Sequence, residues 1–98
     1  MIYLHIRFSN YRYFLEHPMQ AVFVFIKCKL GEAYSVAGAL IDKVEETSEV
    51  YSISGEFDLI AKFYLEKDAD IGHFVNKQIH PLDGIKDTQT LITFNAFT

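Results

Sequence analysis

"EVYSISGEFDLIAKFYLE", residues 49 to 66, decides how this chain folds. The runs "EVYSIS" and "DLIAKFYLE" are rich in β-branched and aromatic residues and meet at Gly55-Glu56-Phe57-Asp58, so they read as two antiparallel strands around a turn. In such a turn Gly55 supplies a positive φ and Asp58 a carboxylate that bonds nearby amides. A turn has no need of the acid Glu56 or the ring of Phe57, so the connector has a second reading. The Asp58 carboxylate can meet an ammonium group and free backbone amides a carboxylate, with Phe57 as an apolar wall.

Upstream, "QAVFVFIKC" (20 to 28) is apolar on both alternating faces, the pattern of a strand covered on both sides. After Leu30-Gly31 the period changes. Ala33, Val36, Ala37, Leu40, Ile41 and Val44 recur at helical spacing and predict a helix with one buried face, with Glu32 in its first turn at the positive end of the dipole.

Downstream, Ile71, Phe74, Val75 and Ile79 predict a second helix from about Ala69, capped by Asp68. "HPLDG" ends it, and "IKDTQTLITFNAF" (85 to 97) reads as a last strand. Strand, helix, strand, strand, helix, strand is an α+β order. With right-handed crossovers it gives the ferredoxin-like βαββαβ sandwich, in which the first and third strands are central. Both helices then lie on one side of the sheet. The other side receives half of "AVFVFI" together with Ile60 and Tyr64, and an apolar face of that size predicts a dimer packed sheet against sheet.

Residues 1 to 18, "MIYLHIRFSNYRYFLEHP", support two readings: a short strand through Ile2, Leu4, Ile6 and Phe8, or an upstream extension with the compact domain running from Met19 to Thr98. From Met19 onward seven lysines face twelve acidic residues, and the whole chain carries a formal −4. That balance, without a basic stripe, argues against a nucleic-acid backbone as partner. Cys28 is the single cysteine, which removes any intrachain disulfide or paired-cysteine metal knuckle and suits a reducing, cytoplasmic setting. No apolar run approaches the ~20 residues of a membrane span, and residues 1 to 18 lack the uninterrupted apolar stretch of a signal peptide.

Other motifs carry little chemistry. Thr88-Gln89-Thr90 places two hydroxyls on one face of the last strand, either as decoration or as donors to a ligand carboxylate. Asp68-Ala69-Asp70-Ile71-Gly72 touches the calcium-loop pattern, yet Ile79 stands where a bidentate Glu is required. His73 and His80 make a poor metal pair without a third ligand. No nucleophile elbow, phosphate loop or dinucleotide fingerprint is present, so neither catalysis nor a cofactor is expected.

Taken together, "LIDKVEETSEV" and "SISGEFDLIAKFYLEKDADIGHFVNKQIHPLDGIKDTQT" resemble the effector-binding domain of the Lrp/AsnC family of leucine- and asparagine-responsive regulators. The shared frame is Gly-x-x-Asp between two strands, an acidic helix start, a Phe-Val helix and Gly-Ile-x-x-Thr-x-Thr, over residues 20 to about 95. The resemblance implies a sandwich that pairs into a dimeric α/β barrel, with dimers assembling further into rings such as octamers. It implies small effectors, typically amino acids, bound at contacts between subunits. Gly55, Phe57, Asp58, Thr88 and Thr90 are the matching positions, with Glu56 and Gln89 beside them; Asp58 would take the amino group and the threonines the carboxylate.

Full-length regulators of that family carry a winged helix-turn-helix that eighteen residues cannot hold, so the resemblance is to the stand-alone form. It implies amino-acid sensing, or association with a full-length regulator, without direct DNA binding. Two alternatives share the topology. A small monooxygenase or isomerase of the dimeric α/β-barrel type needs polar groups in its sheet cavity, where the strands offer mainly Phe, Val and Ile. An RNA-binding βαββαβ module could use Phe23 and Phe25 for stacking, but its basic-glycine-aromatic run is missing from the third strand.

Overall fold

A computed structural model describes residues 18 to 97, so the two readings of the leading segment fall outside the described residues. Strand β1 (Met19–Cys28) is followed by helix α1 (Ala33–Lys43), strands β2 (Thr47–Ser52) and β3 (Leu59–Glu66), helix α2 (Ile71–Phe74) continued by a π-helical turn (Val75–Ile79), and strand β4 (Ile85–Ile92). The sheet is antiparallel in the order β2-β3-β1-β4, with β1 and β3 central. This is the ferredoxin-like arrangement that the element order predicts.

Alternation along the two central strands builds the core. Val22, Val24, Ile26 and Cys28 of β1 and Leu59, Ala61, Phe63 and Leu65 of β3 point toward the helices and are buried. Val36, Leu40 and Val44 from the first helical segment and Phe74, Val75 and Ile79 from the second close over them. The Phe63 and Phe74 rings meet edge to face with centroids 5.2 Å apart. The opposite side carries Ala21, Phe23 and Phe25 of β1, Ile60, Lys62 and Tyr64 of β3 and Leu91 of β4, and neither helix covers it. Lys62 stands in the middle of this side, between Phe23 of β1 and Glu49 of β2, its ammonium 4.9 Å from the Tyr64 ring centroid and 6.0 Å from that of Phe23.

Four local expectations are corrected. Ile41 is 63% exposed rather than part of the buried stripe. It shares a row with Ala33 and Ala37, and that row only skirts the sheet while Val36, Leu40 and Val44 face it. Glu32 stands at the N-cap of α1, one position before its first turn, with no side-chain capping bond. The cap of α2 is Asp70, which accepts from the His73 amide at 3.0 Å; residues 67 to 69 still belong to a turn closed by the Ala69 amide on the Glu66 carbonyl. The last strand ends at Ile92, and residues 93 to 97 have no regular structure.

The π-helical turn shows in the His80 amide donating to the Val75 carbonyl, five residues back. A wider turn brings residues five apart toward one face, which lets Phe74 and Ile79 both reach the core. At the other end of α1, the Thr47 hydroxyl donates to the Leu40 carbonyl at 2.9 Å and fastens the helix end to β2.

Candidate functional site

β1 finishes at the same end of the sheet where β3 and β4 begin, so three segments distant in sequence converge there. β3 starts at Leu59, opposite Ile26, which leaves the Cys28 amide on that edge beyond the last strand partner. The Asp58 carboxylate takes that partner's place: Oδ2 accepts from the Cys28 N–H at 2.7 Å across thirty residues of sequence. The Asp58 amide donates to the Ile26 carbonyl at 2.9 Å, and the Asp58 carbonyl accepts from the Ile53 amide at 2.9 Å, closing the hairpin. Gly55 holds the turn at φ 111°. Lys27 Nζ donates to the Glu56 carbonyl at 2.9 Å, so the turn is fastened to β1 from both sides.

On the other flank the Lys29 amide donates to the Gly84 carbonyl at 2.7 Å, tying the end of β1 to the approach to β4. Gly84 has φ 93°, and a Cβ there would lie 2.9 Å from Val36 Cγ2 and 3.1 Å from Glu32 Cβ. Both the backbone and the space therefore require glycine.

Between these fastenings lies a cavity of about 260 Å³. Asp58, Cys28, Lys27, Lys29 and Lys86 line it, and Leu30 and Ala33 add apolar surface. The Cys28 thiol is pushed above its ordinary pKa by burial first and then by the negative charges of Asp58 and Glu32. A thiol held protonated is a poor nucleophile.

The residues singled out in the sequence take separate positions within one chain. Asp58 lines the cavity. Phe57 packs on Phe25 with ring centroids 5.5 Å apart, toward the side of the sheet without helices. Gln89 pairs opposite Phe25 on that same side. Thr88 and Thr90 pair opposite Ile26 and Val24 on the helix side, where Thr88 Oγ1 lies 2.8 Å from His80 Nε2. Asp58 and Thr88 flank Ile26 from its two edges, about 10 Å apart by two strand spacings. Gly55 and Glu56 are exposed at the hairpin tip.

Sequence reasoning missed the three lysines. Their signal was positional: Lys27 lies at the end of the first strand and Lys29 just past it, Lys86 opens the last, and antiparallel pairing brings those ends together. Among the described residues no group of three His, Cys, Asp or Glu side chains is placed to hold a metal ion, and no helix is long and apolar enough to cross a membrane.

A family profile described as the Lrp/AsnC ligand binding domain matches residues 21–98. The chain belongs to the Lrp/AsnC family. It is 33% identical over 74 residues to the HTH-type transcriptional regulator FL11 of Pyrococcus abyssi, a match covering 76% of this chain and 48% of that protein. The chain thus spans about half the length of the regulators it matches. TTHA0845 from Thermus thermophilus superposes with a TM-score of 0.72 at 28% identity over 81% of this chain and 98% of that one. The regulator NMB0573 of Neisseria meningitidis, solved in complex with L-Met, shares the fold at a TM-score of 0.69, with 18% identity over 81% of this chain and 52% of that one. This Lrp/AsnC chain is therefore a ligand-binding domain of a transcription-regulator family, with the βαββαβ fold of its relatives.

Proposed function

We propose that this Lrp/AsnC domain is a cytoplasmic sensor, without catalytic activity, that binds a small amino-acid effector and assembles into homo-oligomers. The observation that carries the reading is the fixed Asp58 carboxylate at a cavity of single-amino-acid size. One oxygen of Asp58 is engaged by the Cys28 amide, and the other is left to receive an ammonium group. The L-Met complex of NMB0573 supports an amino acid as the ligand class.

Assembly completes the site in this reading. Two copies pair through the side of the sheet that bears Phe23, Phe25, Ile60 and Tyr64, forming a dimeric α/β barrel, and dimers associate further into a ring. Gly55, Glu56, Phe57, Asp58, Thr88, Gln89 and Thr90 occupy two sheet faces and one sheet end, and neighbouring subunits bring complementary sets together. The ligand-binding domain runs from Met19 to Thr98, with residues 1 to 18 as an extension, and can associate with a full-length regulator of the family. Residues 19 to 98, with seven lysines against twelve acidic residues, do not themselves bind DNA.

A thermal-shift screen against the twenty amino acids, with oligomer size followed by light scattering, tests this. A ligand bound only to the native state adds RT ln(1 + [L]/Kd), about 2.7 kcal/mol at a hundredfold excess over Kd. The expected result is a raised Tm with at least one amino acid and a mass of a dimer or more. No response to any of the twenty, or a monomer at micromolar concentration, refutes the proposal.

A further inference from the structure

The cavity beside Asp58 has more positive charge than a neutral amino acid can use. A zwitterion needs one anion for its ammonium and one cation for its carboxylate. Asp58 meets the first need and a single lysine the second, yet three of the seven lysines in residues 19 to 98 line this one cavity. They gather there in a chain whose formal charge is −4. Lys27 is engaged by the Glu56 carbonyl. Lys29 and Lys86 are exposed, Lys29 just past the end of β1 and Lys86 on β4, next to the paired residues Cys28 and Ile85.

From this arrangement we infer that the effector is an acidic amino acid, with its ammonium on Asp58 and its two carboxylates on Lys29 and Lys86. The inference rests on the amino-acid reading of the site and adds the class of side chain. Three lysines line the cavity against the Asp58 carboxylate and the Glu32 charge that also reaches Cys28, and this positive excess attracts a ligand of net charge −1, tolerates a neutral one and disfavours a cation. A volume of about 260 Å³ lies just under the ~300 Å³ at which drug-sized sites begin, which suits one glutamate or aspartate.

Calorimetric titration of the full chain with glutamate, aspartate, glutamine, lysine and glutarate tests this. Glutamate or aspartate should bind about tenfold or more tighter than glutamine, a difference of ~1.4 kcal/mol. Lysine should not bind, and added salt should weaken glutamate more than glutamine. Of Lys86→Ala and Lys29→Ala, both at exposed positions, the one that removes the partner of the side-chain carboxylate should erase most of the glutamate-over-glutamine preference with glutamine affinity within about twofold, and the other, which removes the partner of the shared α-carboxylate, should weaken both ligands. Asp58→Asn keeps an acceptor for the Cys28 amide and should lose glutamate binding with its Tm intact.

Equal affinity for glutamine and glutamate, a preference for lysine, or a preference that survives both lysine substitutions overturns the inference and leaves the amino-acid reading standing. Glutarate binding as tightly as glutamate overturns the ammonium contact at Asp58. Absence of binding by these ligands and by every other amino acid overturns both readings together.

Discussion

The two sides of this sheet are made of the same strands and do different work. On the helix side, Val22, Val24, Ile26, Leu59, Ala61 and Phe63 are all but fully buried by the chain's own helices. On the other side, Phe23, Phe25, Ile60 and Tyr64 alternate with them one residue out of step and are only partly buried. Both sides carry large apolar side chains; what differs is who supplies the cover. The first side stores the stability of the fold, and the second has apolar area that only other surfaces can remove from water. Lys62 sharpens the contrast. A lysine is accommodated among the aromatic rings of the second side, whereas among the described residues the first side contains no buried polar or charged residue.

The comparison breaks first where the core is hollowed out. Phe63→Ala removes a fully buried ring in contact with Phe74 and should cost about 3–5 kcal/mol in chemical denaturation; a loss below ~1 kcal/mol would mean that the helix side is not the main store of stability. Asp58→Ala strands the Cys28 amide and should cost about 1–3 kcal/mol, whereas Asp58→Asn should cost much less because an acceptor remains. Phe25→Glu, on the other side, should leave the monomer's stability within about 1 kcal/mol yet convert the proposed dimer to monomer in light scattering. A variant that stays dimeric would rule out sheet-to-sheet pairing. Smallest of all is Ile41→Lys, at an exposed position of α1, expected within about 0.5 kcal/mol of the parent.

Acidity offers a further probe of the sheet end. Burial and neighbouring carboxylates raise the Cys28 pKa, so the folded state favours the protonated thiol. Its contribution to stability is complete below the ordinary thiol pKa and is lost as pH rises through the raised one. Alkylation of Cys28 in the folded chain should accordingly lag behind that of a free thiol at mildly alkaline pH and catch up once the protein is unfolded.

Most of the fold was legible because its signals are local. Period two in "AVFVFI", period 3.6 from Ala33 to Val44, and a glycine at the hairpin tip each act within a few residues, and the order of elements then restricts the topology. Ile41 was misassigned because spacing alone does not say which of two adjacent rows meets the sheet. Asp68 and Asp70 are equivalent as sequence cues, and only the Ala69-to-Glu66 turn bond decides between them. The π-helical turn left no local signature, since it follows from the core's demand for both Phe74 and Ile79. At the candidate site, Asp58 stood out as part of the turn, but its bond to the Cys28 amide and the gathering of Lys27, Lys29 and Lys86 depend on segments far apart in sequence.

Because the Asp58 carboxylate stands in for a missing strand beside Cys28, any cation drawn to its second oxygen must withdraw electron density from the bond to that amide. The Cys28 amide proton is therefore a built-in gauge of occupancy, whose chemical shift should move with titrant while resonances in the middle of α1 stay still.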